Sequence, residues 1–259
     1  MSERKFKYIY GPIFSWRLGR SLGIDPISSE EKVCSFDCVY CQIGPTGVLT
    51  DERKVFVQTS EVVSEIESLP EVEIDYMTFS GRGEPTLAAN LGEMIQAAKG
   101  VRGDPVAVIT NSSLIGRKDV REDLMLADFV LAKLDAASQE VFERINSPIA
   151  GAKIGEIIEG IRRFRDEYAG KLALQMMFLE ENVAEAGRMA EIARSLEPDE
   201  VEINTPLREC AVKPLPKREI ERIASLFEGM NVITVYEGKK GKTQLISDEE
   251  TVKRRGKRI

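Results

Sequence analysis

The chain has 259 residues, 42% of them hydrophobic and 31% charged, with a formal net charge of −7. That length supports one large core or two modest domains, the acidic balance argues against a binder held mainly by phosphates, and no apolar run approaches the roughly 18–20 residues of a membrane span. The chain has no histidine, which excludes Ser–His and Cys–His catalysis, Cys/His zinc fingers and the usual near-neutral proton shuttle.

The opening "MSERKFKYIYGPIF" lacks the continuous apolar stretch of a secretory signal. The expected compartment is therefore the cytoplasm, where thiols stay reduced and clustered cysteines hold metal rather than disulfides. "SLGIDP" (21–26) is predicted as a first strand. After the cysteine-bearing segment, apolar strand-like runs alternate with helix-like runs. "IDYMTFSG" (74–81) precedes "LAANLGEMIQAAKG", and "PVAVITNSS" (105–113) precedes "RKDVREDLMLA". "DFVLAKLDA" (128–136) precedes "SQEVFERIN", in which Ser138 and Glu140 mark a helix start. Ile154, Ile157, Ile158, Ile161 and Phe164 share one face of a further helix, a core stripe. "KLALQMMFLE" (171–180) and "EVEINTP" (200–206) are each followed by another helix, the last beginning at Pro216. The closing "VKRRGKRI" reads as a solvated basic terminus, with an RNA or acidic-partner contact as the alternative.

Six strand–helix units argue for a parallel sheet, either a barrel or an open sheet. Ligands in both architectures sit at the carboxyl ends of the strands. That rule selects Ser80, Gly81, Gly83, Glu84, Thr110, Asn111, Ser112, Lys133, Asp135, Gln175, Met177, Asn204, Thr205 and Arg208. Gln175 faces the cavity if "LALQMM" alternates inward and outward from it. Arg17, Arg20 and Arg208 are candidates for an anionic group on the substrate side.

Three of the four cysteines, Cys34, Cys38 and Cys41, are spaced C-x3-C-x2-C. Soft thiolates packed this tightly select iron–sulfur clusters or zinc. Three thiolates can hold a cubane through three irons and leave the fourth iron open; a zinc site would need Cys210 as its fourth ligand.

This spacing, with Tyr40 before the last cysteine and "SGRGEP" (80–85) at the end of the second strand, resembles the radical S-adenosylmethionine (radical SAM) superfamily. Where that superfamily has a Gly-Gly-Glu-Pro stretch, the first glycine of the pair is Arg82 here. The wider text "GPIFSWRLGRSLGIDP", "FDCVYCQIGPT", "FSGRGEPTL", "ITNSSL", "LDAAS" and "INTPLRE" is similar to a stand-alone group of radical SAM Fe–S oxidoreductases related to wyosine-synthesising tRNA enzymes. The likeness runs from about Gly11 to Leu215.

The resemblance implies a partial (β/α)6 barrel over 21–215, an N-terminal extension over 1–20, and a C-terminal helix/strand extension with a basic tail over 216–259. It implies a [4Fe–4S] cluster on Cys34, Cys38 and Cys41, and S-adenosylmethionine (SAM) cleaved reductively to methionine and a 5′-deoxyadenosyl radical that abstracts a substrate hydrogen. An oxygen-labile open cluster implies an anaerobic setting. Gly83 and Glu84 are then expected to face the methionine amino group and Tyr40 the adenine. Lys133 or Asp135 would meet the SAM carboxylate or ribose, Asn111 the ribose, and Gln175 the same cavity. Cys210 is a candidate hydrogen-atom donor or substrate carrier, against a buried free thiol. The expected partners are a small-molecule or modified-base substrate and a reductant such as ferredoxin or flavodoxin; no membrane is expected, and nucleic acid is left open. The alternatives are a glycyl-radical activase, a wyosine-like tRNA enzyme, and an electron carrier whose cluster is closed by Cys210.

Overall fold

In the computed structural model, which describes residues 6–238, 241 and 243–255, the strand–helix rhythm becomes one curled half-barrel sheet with helices on its outer face. In chain order the elements are β1 Ile9–Ser15, β2 Gly19–Ile24, β3 Val33–Cys34, β4 Val48–Leu49, α1 Thr59–Glu67, β5 Tyr76–Phe79, α2 Leu91–Arg102, β6 Val106–Thr110, α3 Lys118–Leu124, β7 Phe129–Lys133, α4 Gln139–Asn146, α5 Ile154–Glu167, β8 Lys171–Met177, α6 Ala186–Leu196, β9 Glu200–Asn204, α7 Lys217–Ala224, β10 Val232–Thr234 and α8 Asp248–Arg255. The main sheet runs β1-β2-β5-β6-β7-β8-β9-β10. Every neighbouring pair in it is parallel except β1 with β2, while β3 and β4 form a separate parallel pair.

The strands read as continuous apolar runs because both faces are covered. Alternate residues such as Met77, Phe79, Val106, Val108, Leu172, Leu174, Val201 and Ile203 pack under the helices. Their neighbours point into the lumen, where Ala107, Phe129, Leu131 and Ala173 close around Leu18 from the β1–β2 turn. This small plug is the floor on which the cavity rests. On α5, Ile154, Ile157, Ile161 and Phe164 are buried as the 3.6-residue period requires, and Ile158 is half-buried. Ser138 caps α4 by accepting a hydrogen bond from Val141 N at 3.4 Å.

Two strands of the main sheet exceed the six units of the sequence, besides the separate β3–β4 pair. β1 pairs antiparallel with β2, and its register shifts between Tyr10 and Ile13. Pro12 lies in that shift, so the Gly-Pro sits at a bulge on an edge strand, where a missing N–H is tolerated. β10 adds only three residues to β9. Residue 20, the end of the expected N-terminal extension, lies within β2.

The basic tail is also more structural than its composition suggests. Residues 248–255 form α8, and 256–259 lie outside the described residues. Arg254 pairs with Asp25 at 3.0 Å with both side chains about 1% exposed, and it also donates to Ser28 Oγ, to the Lys7 carbonyl and to Glu250. The segment before α8 lies along β1, with Ile246 N donating to Gly11 O and Thr243 Oγ1 to Pro12 O. Replacing Asp25 with Asn would leave the buried Arg254 guanidinium only Glu250 as a carboxylate partner, so the cost should lie below the about 3–5 kcal/mol of a fully broken buried pair. The expected result is a lower urea midpoint that is partly restored in an Asp25→Asn/Arg254→Met double variant; an unchanged midpoint would show that α8 contributes nothing to stability.

Candidate active site

A cavity of about 800 Å³ opens at the carboxyl ends of the strands, toward the upper end of ordinary small-ligand sites. Cys34, Cys38 and Cys41 all line it, and none is in a disulfide. The loop carrying them is fastened by its backbone: Asp37 N donates to Asn146 O, Val39 N to Ile145 O, and Cys41 N to Cys38 O. Each sulfur faces an N–H donor from a different part of the fold. Lys32 Nζ lies 3.0 Å from Cys41 Sγ, Asn146 Nδ2 at the end of α4 lies 3.4 Å from Cys38 Sγ, and Asn111 Nδ2 after β6 lies 3.6 Å from Cys34 Sγ. Burial, reinforced by the Glu84 charge, pushes the Cys34 thiol up to about 12. Such a thiol gives up its proton to a metal rather than to water.

Among the described residues, no three Cys, Asp or Glu side chains gather as the ligands of one metal ion would. A zinc ion needs its sulfurs within about 2.3 Å of a common centre. Cys210, the fourth ligand of the zinc and electron-carrier readings, is not on the cavity wall; its thiol donates to Val212 O at 3.2 Å. Three free thiols around one mouth, each met by an N–H, fit a cluster whose sulfurs need hydrogen-bond donors.

"SGRGEP" faces the cysteine loop. Glu84 N donates to Val33 O at 3.2 Å. A Cβ on Gly83 would stand 1.9 Å from that carbonyl oxygen, so no other residue fits. Glu84 is buried, and burial pushes its carboxyl up while its hydrogen bonds pull it down. Its Oε1 accepts from Thr86 N, Thr86 Oγ1 and Thr110 Oγ1, and its Oε2 from Asn111 N at 2.6 Å. The carboxylate expected to face a methionine amino group thus also ties the end of β6 to the turn after β5.

Tyr40 lines the cavity with its hydroxyl fixed from three sides. It donates to Asp135 and accepts from Lys133 Nζ at 2.8 Å and Asn146 Nδ2 at 3.0 Å. Lys133 also lies over the ring, 4.4 Å from its centroid. Burial, with Asp135 beside it, raises Tyr40 well above the usual phenol range, so it stays neutral. Asn111, Lys133 and Gln175 reach the cavity wall. Asp135 does not: it sits one layer behind, also accepting from Met177 N. Arg17 and Arg208 reach the cavity, but Arg20 turns outward onto Asp75 and Glu73 because β2 alternates. Sequence reasoning missed Lys32, although it stands two residues before Cys34. It also missed Asn146 and Trp16, whose roles come only from tertiary closure.

Residues 32–193 match the family model described as the radical SAM superfamily. That is more than half of the chain, which therefore belongs to the radical SAM superfamily. Within it, the UPF0026 protein slr1464 of Synechocystis is 42% identical over 217 residues, covering 83% of this chain and 80% of that protein. The UPF0026 protein MJ1312 of Methanocaldococcus jannaschii is 38% identical over 234 residues, covering 86% and 71%. Among solved structures, Streptococcus suis SuiB bound to S-adenosylmethionine is 14% identical with a TM-score of 0.59, a likeness of fold. That match covers 79% of this chain and spans 48% of the SuiB chain.

Gly83→Ala is expected to force the SGRGEP turn off Val33. Overpacking of this kind costs about 1–3 kcal/mol, and the lost alignment should lower iron incorporation on reconstitution. The thermal midpoint and iron content of the variant check both effects; normal values for the two would mean the close approach is dispensable. Tyr40→Phe removes a hydroxyl shared by buried Asp135 and Asn146 and by half-buried Lys133 and is expected to destabilise by about 1–3 kcal/mol, measured by urea unfolding.

Proposed function

We propose that the chain is a radical SAM enzyme whose Cys34, Cys38 and Cys41 ligate a [4Fe–4S] cluster, leaving the open iron to SAM in the adjoining cavity. The observation that carries this reading is the pairing of three free cysteine sulfurs, each facing an N–H donor, with a Gly83 turn closed onto the same loop. When bound, the cluster and SAM together supply one-electron cleavage of the C5′–S bond, giving methionine and a 5′-deoxyadenosyl radical that takes hydrogen from the substrate.

The protein's own residues hold and orient. Lys32, Asn111 and Asn146 offset negative charge on the sulfurs, which tunes a cluster's potential. Lys133, 17% exposed and already positioned by Tyr40 and Asp135, presents a cation to the SAM carboxylate. Gln175 and Asn111 offer amide groups to the ribose side. The neutral Tyr40 ring supplies a flat wall for the adenine. The low-potential electron comes from a one-electron donor such as ferredoxin or flavodoxin. Cys210, away from the cavity wall, has no part in this scheme.

Protein purified without oxygen is expected to be brown, to carry about four irons per chain, and to form 5′-deoxyadenosine from SAM with dithionite. Cys34→Ala, Cys38→Ala or Cys41→Ala should abolish iron and turnover together, whereas Cys210→Ala should keep both. A colourless protein binding one zinc would overturn the proposal.

A further inference from the structure

The part of the cavity away from the cysteines lies at the open seam of the half-barrel. Phe14, Trp16 and Arg17 come to it from the β1 edge, Asn204 and Arg208 from the end of β9, and Gly238 from the chain after β10. Arg17 reaches from the β1–β2 turn across the lumen toward β9. Its Nη1 is 3.7 Å from Glu202 Oε2, beyond the roughly 2.7–2.9 Å of a charge-assisted hydrogen bond. Among the described residues the guanidinium donates no hydrogen bond, and its Nε is buried without a partner. It lies 5.3 Å from the Trp16 ring centroid.

Behind Arg17, Glu202 is fully buried. Gln175 Nε2 lies 3.4 Å from its Oε2, and its Oε1 has no partner. A buried N–H left unpaired on a cation is a costly arrangement unless an anion completes it. The other cations of the wall are occupied: Lys32 by Cys41, Lys133 by Tyr40 and Asp135, Arg254 by Asp25. Glu84, the one carboxylate among the described lining residues, has its oxygens filled by four donors. Arg208 stands in the same wall with Nη1 on the Arg255 carbonyl at 2.8 Å, which adds positive potential at the seam.

We propose that this floor is the substrate's anion subsite, in which Arg17, held from behind by Glu202 and Gln175, binds a carboxylate or phosphate of a small-molecule substrate with Trp16 against its adjoining part. The inference rests on the radical SAM reading of the same cavity and names the substrate class that reading leaves open. Glu202 is a positioning residue here. Burial pushes its carboxyl up to about 8, against the pull of Arg17 from the turn, with Glu200 on its own strand adding and Lys171 of β8 opposing. Below that pH the carboxyl is neutral and leaves the Arg17 charge to a ligand. Above it, the carboxylate competes with the ligand.

Trp16 is the only tryptophan in the chain, so its emission reports on this floor without turnover. The cluster-loaded protein, saturated with SAM, is titrated with sulfate and separately with propionate, with ionic strength matched by chloride. A saturable emission change is expected for at least one anion; a stronger response to sulfate assigns a phosphate-bearing substrate, and to propionate a carboxylate. Arg17→Gln should weaken that binding about tenfold or more. Arg17→Lys, which keeps the charge but not the fork, should fall between. In Glu202→Gln the binding should persist and lose its decline above about pH 8. The inference is overturned if SAM is still cleaved but neither anion gives a saturable change, or if Arg17→Gln binds as well as the parent. A persistent pH decline in Glu202→Gln would remove Glu202 from the arrangement. Failure to cleave SAM at all would overturn the reading beneath instead.

Discussion

Glu84, about 2% exposed, sits where four hydrogen-bond donors need an acceptor. Its two oxygens join the turn after β5 to the end of β6, and through the Asn111 backbone they set the side chain that faces Cys34. On the residue before it, the absence of a side chain lets Val33 O approach and places the cysteine loop against the same turn. Two adjacent residues therefore fix the distance between the cysteine loop and the strand ends. A carboxylate held by four donors is rigid, and a rigid wall is what a site for a reactive species requires.

The opposite side of the loop is fixed by a second buried network. Asn146 touches the Cys38 sulfur, the Tyr40 hydroxyl and Asp135 at once, and Lys133 closes the set over the Tyr40 ring. Its parts come from the cysteine loop, the end of β7 and the end of α4, so the position of Cys38 depends on two crossover units packing correctly. The balance of charge is local: Lys133 faces Asp135, Lys32 faces the sulfurs, and Arg254 faces Asp25. An overall charge of −7 thus says little about the cavity, whose wall is cationic.

What could be read from the sequence was contiguous. The cysteine spacing and "SGRGEP" each lie within ten residues, and the six parallel strands carry long apolar runs with polar ends. Those strand ends placed Asn111, Lys133 and Gln175 on one rim, because the carboxyl ends of parallel strands all point one way. The same rule put Asp135 there as well, but two residues past the end of β7 the chain has turned, and its carboxylate lies behind Tyr40. Lys32–Cys41 was within reach of a local reading. Asn146 and Glu202 were not, since their partners lie elsewhere in the chain and nothing in "ERIN" or "VEIN" marks them. β10 is too short to carry a period, and β1 was hidden by the Gly-Pro at its bulge.

The Arg254–Asp25 pair joins residues 229 positions apart. Contacts this distant close a loop of nearly the whole chain, whose entropic cost the burial of the pair and of α8 must offset. Its partner Asp25 also receives Arg82 N and would meet a side chain on Gly81, so the last helix of the chain finishes one wall of the cavity. Arg254 and Arg255 of that helix stand in the same cavity wall as the three cysteines. A change at the far end of the chain therefore reaches the cavity, although more than 200 positions separate it from the cysteines in sequence.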